Sequence, residues 1–187
     1  MPGTNAKPQE SSQILAAGDD KYFYLAGTFL DSDIVAEGLE DGLHQYQFGD
    51  VCELFLKPVD YSWYWELYGT PLGQKTTFWF PGQGRLGLPS SFEKYSSGLK
   101  VAAINRGTVN EWQDYDEGWT IEMTIPIKDL TARGEKFGSD SGWRIHIGRY
   151  NYSRYLENKG PELSAFPKLS RTDFHLLNEY AVLKLQR

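Results

Sequence analysis

The sequence predicts an all-β protein in which two antiparallel sheets pack as a jelly-roll-like β-sandwich, with one short helix. Three observations lead to this prediction. The chain has 187 residues, a length that suits a single domain of about 100–200 residues. Aromatic residues make up 15% of it, and they concentrate in short segments with the alternating pattern of strands. Turn signals such as Asp41-Gly42 and Ser141-Gly142 separate these segments.

The strand pattern is clearest in WTIEMTI, residues 119–125, where apolar and polar side chains alternate without a break. This is the pattern of a strand with one buried face. A short helix is predicted at Pro126–Arg133, because proline suits the first helical turn and Gly134 can end the helix. Further strands are predicted at Lys21–Leu30, Val51–Lys57, Ser62–Gly69, Thr76–Phe80, Leu99–Asn105, Trp143–Asn151 and Tyr180–Gln186.

The ends of the chain differ from this pattern. Residues 1–12 (MPGTNAKPQESS) are polar and contain prolines, so we expect a flexible N-terminal arm before a single domain at 13–187. The stretch 153–178 shows no strand pattern. No basic segment followed by an apolar one is present in this chain, so the sequence does not predict a signal peptide in it.

Charge and composition exclude several classes of function. There are 19 Lys and Arg against 25 Asp and Glu, a formal net charge of −6, whereas nucleic-acid-binding domains are normally basic. No apolar run approaches the roughly 18 residues that a membrane-spanning helix needs. Cys52 is the only cysteine, which rules out an internal disulfide, and its position among leucines predicts a buried thiol.

Metal sites and catalysis find little support in the sequence. His44, His146 and His175 are widely spaced, without the paired spacing of a zinc site. Asp31 and Asp33 follow a predicted strand and are candidate ligands of a structural calcium ion. Paired carboxylates would suit glycoside hydrolysis; Glu53, Glu66 and Glu122 are the candidates, but a glutamate in mid-strand usually faces solvent. We therefore expect a protein that is not an enzyme.

Polar and aromatic side chains are predicted to share the outer face of one sheet. If Trp63, Trp65 and Leu67 point into the core, then Tyr64, Glu66 and Tyr68 point outward. In the same way, Trp143, Ile145 and Ile147 would leave Arg144, His146 and Tyr150 outside, with Gly148 as a candidate bulge near Arg149. Rings, a carboxylate (Glu53) and a guanidinium on one face suit a sugar, whose C–H faces stack on rings and whose hydroxyls bond charged groups. The tyrosines would equally suit an ordinary amphipathic surface.

The order of segments resembles that of family 9 carbohydrate-binding modules and their DOMON-like β-sandwich relatives. The likeness is carried from about Ser12 to the end of the chain by six segments, and it implies a non-catalytic domain that binds a sugar or polysaccharide. These segments are Asp19–Ile34, Phe48–Pro58, Trp63–Gly73, Gly118–Leu130, Gly142–Arg154 and Thr172–Leu185.

Family members hold a terminal sugar between two aromatic side chains. The resemblance places the second of these at Phe174 and the first at Gln47, where the family has tryptophan; Tyr46 lies beside it. The residues that the resemblance implies for sugar binding are Tyr46, Glu53, Tyr68, His146, Arg149, Tyr150 and Phe174. It further implies a secreted, periplasmic or cell-surface location, an appended catalytic domain in the full-length protein, and no required cofactor. In some members a structural calcium is bound, for which Asp31 and Asp33 are the nearest residues.

Two alternatives of other classes stay open. Some DOMON-like domains bind haem for electron transfer, and Met123 with His146 or His175 would be the candidate axial ligands. The second alternative is a domain that docks onto a partner protein, which an exposed Trp112 or Trp79 in a contiguous apolar patch would favour.

Overall fold

A computed structural model of the chain describes residues 1–82, 97–138, 141–157 and 160–185. The chain folds into two antiparallel sheets that pack face to face, so the predicted all-β sandwich is confirmed. The predicted helix is present as one turn, α1 (Ile127–Leu130), directly after Pro126. Among the described residues, the helices are all too short or too polar to cross a membrane.

The first sheet has four strands. In spatial order these are β1 (Ser12–Gly18), β2 (Tyr22–Phe29), β7 (Gly118–Pro126) and β6 (Lys100–Arg106). Their alternation is as the sequence predicts: Trp119, Ile121 and Met123 of β7 are buried, whereas Glu122 is exposed. β1 was not predicted from the sequence, because its segment SQILAAG is almost wholly exposed and does not alternate between apolar and polar residues.

The second sheet has six strands. These are β3 (Val51–Pro58), β4 (Tyr64–Gly69), β5 (Lys75–Phe80), β8 (Trp143–Asn151), β9 (Glu162–Phe166) and β10 (Ala181–Leu183). The main order is β10-β8-β3-β4-β5, and β9 also pairs with β8. β9 lies within the stretch where no strand pattern was found. The predicted strand end at Gln186 lies outside the described residues.

The main core fills the space between the sheets. Side chains at alternate positions of β2 and β7 meet those of β3, β4 and β8, and this layer includes Trp65, Trp119 and Trp143. Cys52 belongs to it, as predicted, and burial raises the pKa of its thiol to about 12. The thiol therefore stays protonated and acts as a small apolar side chain.

A second apolar layer covers the other face of the six-stranded sheet. Val51, Phe55 and Tyr68 on this face pack against Phe174 and Tyr180 of the C-terminal segment. The expectation that mid-strand glutamates face solvent is therefore wrong for Glu53 and Glu66, which are each 2% exposed. The covering segment is sequence-distant and irregular, so the alternation within the strands could not reveal it.

The sequence predicts a flexible arm at residues 1–12. In the structure, residues 1–11 contact the C-terminal segment, the loop that follows β2 and the end of β8, and Ser12 begins β1. The Gly3 amide donates to the Leu169 carbonyl at 2.9 Å. Glu10 accepts hydrogen bonds from the Ser32 amide at 2.9 Å and from Asn151 Nδ2 at 2.7 Å. These contacts hold the segment that directly precedes β1 against the rest of the fold.

Candidate functional site

A cavity of about 360 Å³ opens on the covered face of the six-stranded sheet. Strands β3 and β4 supply its buried part through Glu53, Glu66 and Tyr68. The turn at Gln45–Gln47, strands β8 and β9 and the loop before Leu177 supply the rest. The complete lining is Tyr46, Glu53, Glu66, Tyr68, Tyr150, Leu163, Thr172, Asp173, Phe174 and His175.

Strand register brings the buried polar groups together. Glu53 of β3 lies directly opposite Tyr68 of β4, and directly opposite residues in antiparallel strands have side chains on the same face. Glu66 and Tyr68 are two residues apart and so share that face as well. The Tyr68 hydroxyl donates a hydrogen bond to Glu66 Oε1. Two carboxylates and a phenol therefore meet in the buried part of the cavity.

Aromatic rings form the upper walls. The half-buried rings of Tyr46 and Tyr150 have centroids 5.4 Å apart at 32°. Tyr46 also stands perpendicular to Tyr68, at 6.3 Å. Tyr150 meets Phe174 edge to face at 5.7 Å. Such edge and offset contacts between rings stabilise one another, so each ring is held in place by its neighbours.

Phe174 occupies a position that a glycine makes available. A Cβ atom at Gly148 would lie 2.5 Å from Cε2 of Phe174, closer than atoms can approach. Gly148 pairs with Glu53 in the sheet, so the ring lies over the strand beside that carboxylate. The register between β3 and β8 is continuous from Val51 to Pro58, and the candidate bulge at Gly148 is therefore wrong.

Burial and negative charge keep the phenols neutral. The pKa of Tyr68 is raised well above its ordinary value, first by burial and then by the charges of Glu53 and Glu66. Burial and Glu53 likewise raise the pKa of Tyr150. Both hydroxyls therefore keep their protons at any physiological pH. Tyr68 uses its proton in the hydrogen bond to Glu66, so its oxygen can accept from a ligand, whereas Tyr150 can donate to one.

The loop that carries Phe174 is held by polar contacts on both sides. The Tyr64 hydroxyl and His175 Nδ1 are 2.6 Å apart. The His175 amide donates to Asp173 Oδ1 at 3.0 Å, and Arg171 pairs with Asp173 at 3.0 Å. Asp173 and His175 are thus fixed on the cavity wall.

Five of the seven residues predicted for sugar binding line this one cavity. They are Tyr46, Glu53, Tyr68, Tyr150 and Phe174. His146 does share their face but is fully buried, stacked on Tyr180 at 5.0 Å and 5.2 Å from Phe174. Burial lowers its pKa to about 3. His146 is therefore a neutral part of the second apolar layer, beneath the cavity lining.

Arg149 lies on the opposite face of the sheet, and its prediction as a polar anchor of the same surface is wrong. Without a bulge, Arg149 follows Ile145 and Ile147 into the space between the sheets. Its Nη2 donates to the Leu30 carbonyl at 2.8 Å and to Asp31 Oδ2 at 3.1 Å. The guanidinium thus ties the two sheets together.

The carboxylates predicted for calcium are engaged in contacts within the chain. Asp31 accepts from Arg149 and from Trp119 Nε1, and Asp33 Oδ2 accepts from the Arg154 amide at 2.9 Å. Within the part of the chain that the structure describes, no group of three or more His, Cys, Asp or Glu side chains is arranged to hold a metal ion. Calcium binding at Asp31 and Asp33 stays a prediction.

The sequence prediction missed five lining residues: Glu66, Leu163, Thr172, Asp173 and His175. Glu66 could have been found, because it alternates in step with Tyr68 on a face already chosen for binding. Thr172, Asp173 and His175 flank Phe174, but an irregular loop has no periodicity from which to derive side-chain directions. Leu163 belongs to β9, which itself was not predicted.

The alternative readings fare differently. Met123 is buried between the sheets, whereas His146 lies on the other side of the six-stranded sheet among the rings of the second layer. These two side chains are therefore not placed to ligate one haem. Trp112 is 57% exposed, and the Arg154 guanidinium covers its ring at 4.3 Å. Trp79 is half-buried beneath Arg133.

Neither the comparison with protein-family models nor the comparison with curated proteins found a match. Among solved structures, the chain is similar to a protein of Bacteroides uniformis ATCC 8492 to which carbohydrate binding is assigned provisionally. That similarity has a TM-score of 0.67 at 15% identity and covers 95% of this chain and 79% of the other.

The chain is also similar to family 9 carbohydrate-binding modules from Caldicellulosiruptor kristjanssonii. One, in complex with glucose, gives a TM-score of 0.50 at 11% identity over 80% of this chain and 64% of the other. The second, in complex with cellotriose, gives 0.51 at 11% identity over 86% and 66%. The chain thus spans just under two thirds of each module's structure. The resemblance noted in the sequence is confirmed at the level of fold: the chain has the β-sandwich architecture of family 9 carbohydrate-binding modules.

Proposed function

We propose that this chain binds carbohydrate in the cavity between Tyr46 and the loop around Phe174, and that it leaves the sugar chemically unchanged. One observation carries the proposal. Two buried carboxylates and two neutral phenols line a single cavity whose upper walls are aromatic. Sugars require this combination, because each ring has apolar C–H faces and several hydroxyls that both donate and accept.

The polar groups of the lining include both hydrogen-bond acceptors and donors. Glu53, Glu66 and Asp173 offer carboxylate oxygens that accept from sugar hydroxyls, and hydrogen bonds to ionised groups are the stronger kind. The Tyr150 hydroxyl keeps its proton and can donate to a sugar oxygen, while the Tyr68 hydroxyl donates to Glu66 and can accept from a sugar hydroxyl. The two sets of groups together can orient a ring by its pattern of hydroxyls.

The aromatic walls supply contact area. Tyr46 and Tyr150 are half-buried, so part of each ring remains available to a ligand. Phe174 is only 6% exposed and acts mainly as a fixed back wall. The cavity volume of about 360 Å³ lies at the small end of the range of about 300–1,000 Å³ for small-molecule sites. It suits the end or a short segment of a glycan.

The structural neighbours support the same class of ligand. Carbohydrate-binding modules with this fold have been solved with glucose and with cellotriose. At 11% identity this supports a carbohydrate partner for the present chain but does not select the sugar. The proposal requires no cofactor for binding; a calcium ion at Asp31 and Asp33 would be structural, since neither residue lines the cavity.

Glu66→Gln provides the sharpest test. Glutamine keeps the shape of the side chain and can still accept from Tyr68, but it removes the charge. Because a hydrogen bond to a charged group contributes about 1.5–3 kcal/mol, we expect binding to weaken by about tenfold or more. Isothermal titration calorimetry against a panel of glucose-, xylose- and galactose-based oligosaccharides measures it.

Glu122→Gln is the matched control, since Glu122 is exposed on the four-stranded sheet. It should bind as the wild type does. Absence of binding to every glycan, or equal binding by Glu66→Gln and wild type, would overturn the site. Release of new reducing ends from a bound oligosaccharide would overturn the non-catalytic part of the proposal.

A further inference from the structure

A second and larger cavity, of about 580 Å³, opens at the side of the sandwich. It lies between β1, the edge of the four-stranded sheet, and the opposing edge formed by β9 and β10. β9 and β10 pair with successive parts of β8, Ile147–Asn151 and Trp143–Ile145. The edge is therefore interrupted, and the inner face of β8 is reached from this side.

The walls of this side cavity are mainly apolar. They include Ile14 of β1, Phe29 of β2, Ile145 and Ile147 of β8, Phe166 of β9 and Leu183 of β10. Its volume falls within the range of about 300–1,000 Å³ that small-molecule sites occupy, and such sites combine apolar walls with a few polar groups. The side cavity is lined by none of the residues proposed above to contact sugar.

Two cationic side chains, Arg149 and Lys184, belong to the lining, and they differ in burial and in ion pairing. Arg149 is 2% exposed, and Asp31 balances its charge at 3.1 Å. Its Nε–H has no acceptor within the part of the chain that the structure describes, and a buried donor without an acceptor is unfavourable. Lys184 is exposed, which puts it at the mouth, and it forms no ion pair with any residue in the described ranges.

We propose that the side cavity binds an amphipathic carboxylate, a saturated fatty acid of medium chain length. The hydrocarbon chain fills the apolar interior between β1 and β8. The carboxylate stays at the mouth and pairs with Lys184, because the charge of Arg149 is already balanced within the protein. Apolar walls inside and an exposed cation at the opening complement such a ligand in both parts.

Titration with octanoate, decanoate and dodecanoate tests this, each below its micellar concentration and followed by calorimetry. Since one buried methylene contributes about 0.8 kcal/mol, affinity should rise by up to about fourfold per methylene until the cavity is full. Ala16→Trp, which places an indole on the cavity wall, should abolish binding. Leu15→Trp is the matched control, because Leu15 is 64% exposed on the other face of β1.

Lys184→Gln separates the two halves of the proposal. It should weaken the carboxylates several-fold and leave binding of decanol unchanged. The proposal is overturned if none of the three acids binds, if Leu15→Trp lowers affinity as much as Ala16→Trp, or if Lys184→Gln weakens acid and alcohol alike. Glycan binding by Ala16→Trp should equal that of wild type, so this test and that of the carbohydrate cavity can fail independently.

Discussion

Three glutamates with the same local pattern have different environments. Glu53, Glu66 and Glu122 each occupy the polar side of a strand, and their immediate neighbours do not distinguish them. Glu122 is exposed, whereas Glu53 and Glu66 are 2% exposed because the C-terminal segment covers their sheet. A buried carboxylate is costly unless polar groups surround it. The two buried glutamates are therefore the better candidates for ligand contacts.

Gly148→Ala should damage the carbohydrate cavity through Phe174. The new methyl group would overlap the ring, whose Cε2 would lie 2.5 Å away, so Phe174 must move from its place beside Glu53. Overpacking of this kind typically costs about 1–3 kcal/mol. We expect weaker glycan binding by calorimetry and a lower midpoint of urea unfolding. Gly18→Ala is the control, because Gly18 is exposed and a new Cβ there would make only ordinary contacts, the nearest at 3.4 Å; it should leave binding unchanged. Equal binding by Gly148→Ala would show that the position of Phe174 does not matter.

At the scale of elements, the segment before β1 connects the two sheets. Glu10 accepts from Ser32, which follows β2, and from Asn151 at the end of β8. Its carboxylate also lies 4.0 Å from Arg149. The Glu10 side chain thus joins groups from both layers. It lies two residues before β1, an edge strand that is almost wholly exposed.

Glu10→Ala is expected to destabilise the fold. Its removal leaves the buried polar groups of Ser32 and Asn151 without that acceptor, which costs about 1–3 kcal/mol for each group that stays unsatisfied. Urea unfolding followed by tryptophan fluorescence should show a lower midpoint with an unchanged slope. Glu111→Ala, at an exposed position, is the control. A midpoint equal to wild type for Glu10→Ala would mean that the hydrogen bonds of the Glu10 carboxylate contribute nothing to stability.

For the whole molecule, the six-stranded sheet is a shared wall between two apolar layers. One layer lies between the sheets, and the second consists of rings beneath the C-terminal segment. Ionisable groups are buried on both sides of this sheet. Burial lowers the pKa of His146 to about 3, while burial raises the pKa values of Asp31 and Asp50.

These shifts act on stability in opposite directions. An unfolded histidine has a pKa of about 6.5. Between pH 6.5 and 3, His146 is therefore protonated in the unfolded chain and neutral in the folded one. Its effect is therefore to lower stability as the pH falls. Asp31 and Asp50 bind protons more readily when folded, so their effect is to lower stability as the pH rises above about 4.

His146→Phe isolates the histidine effect. The difference in unfolding free energy between variant and wild type should shift in favour of the variant by about 2–3 kcal/mol between pH 7 and pH 4.5. Urea titrations at the two pH values measure it. A difference independent of pH would show that His146 is not held neutral by its surroundings.

The sequence by itself determined the class of fold and the identity of the inner core. Alternation in Trp119–Ile125 and Trp143–Asn151 places the large apolar residues on one face, because successive side chains of a strand point to opposite sides. It also indicated part of the cavity lining, since Glu53, Tyr68 and Tyr150 follow from the same kind of alternation in their strands. Phe174 came from the family resemblance alone.

Only the tertiary structure decided what covers the outer face of the six-stranded sheet and on which face of β8 the Arg149 side chain lies. The segment that buries Glu53 is more than a hundred residues away and has no regular period, so local pattern carries no information about it. Arg149 faces the interior because β8 continues without a bulge, and its charge is tolerated there because Asp31 arrives from the other sheet. Burial of polar groups depends on partners that only the folded chain brings together.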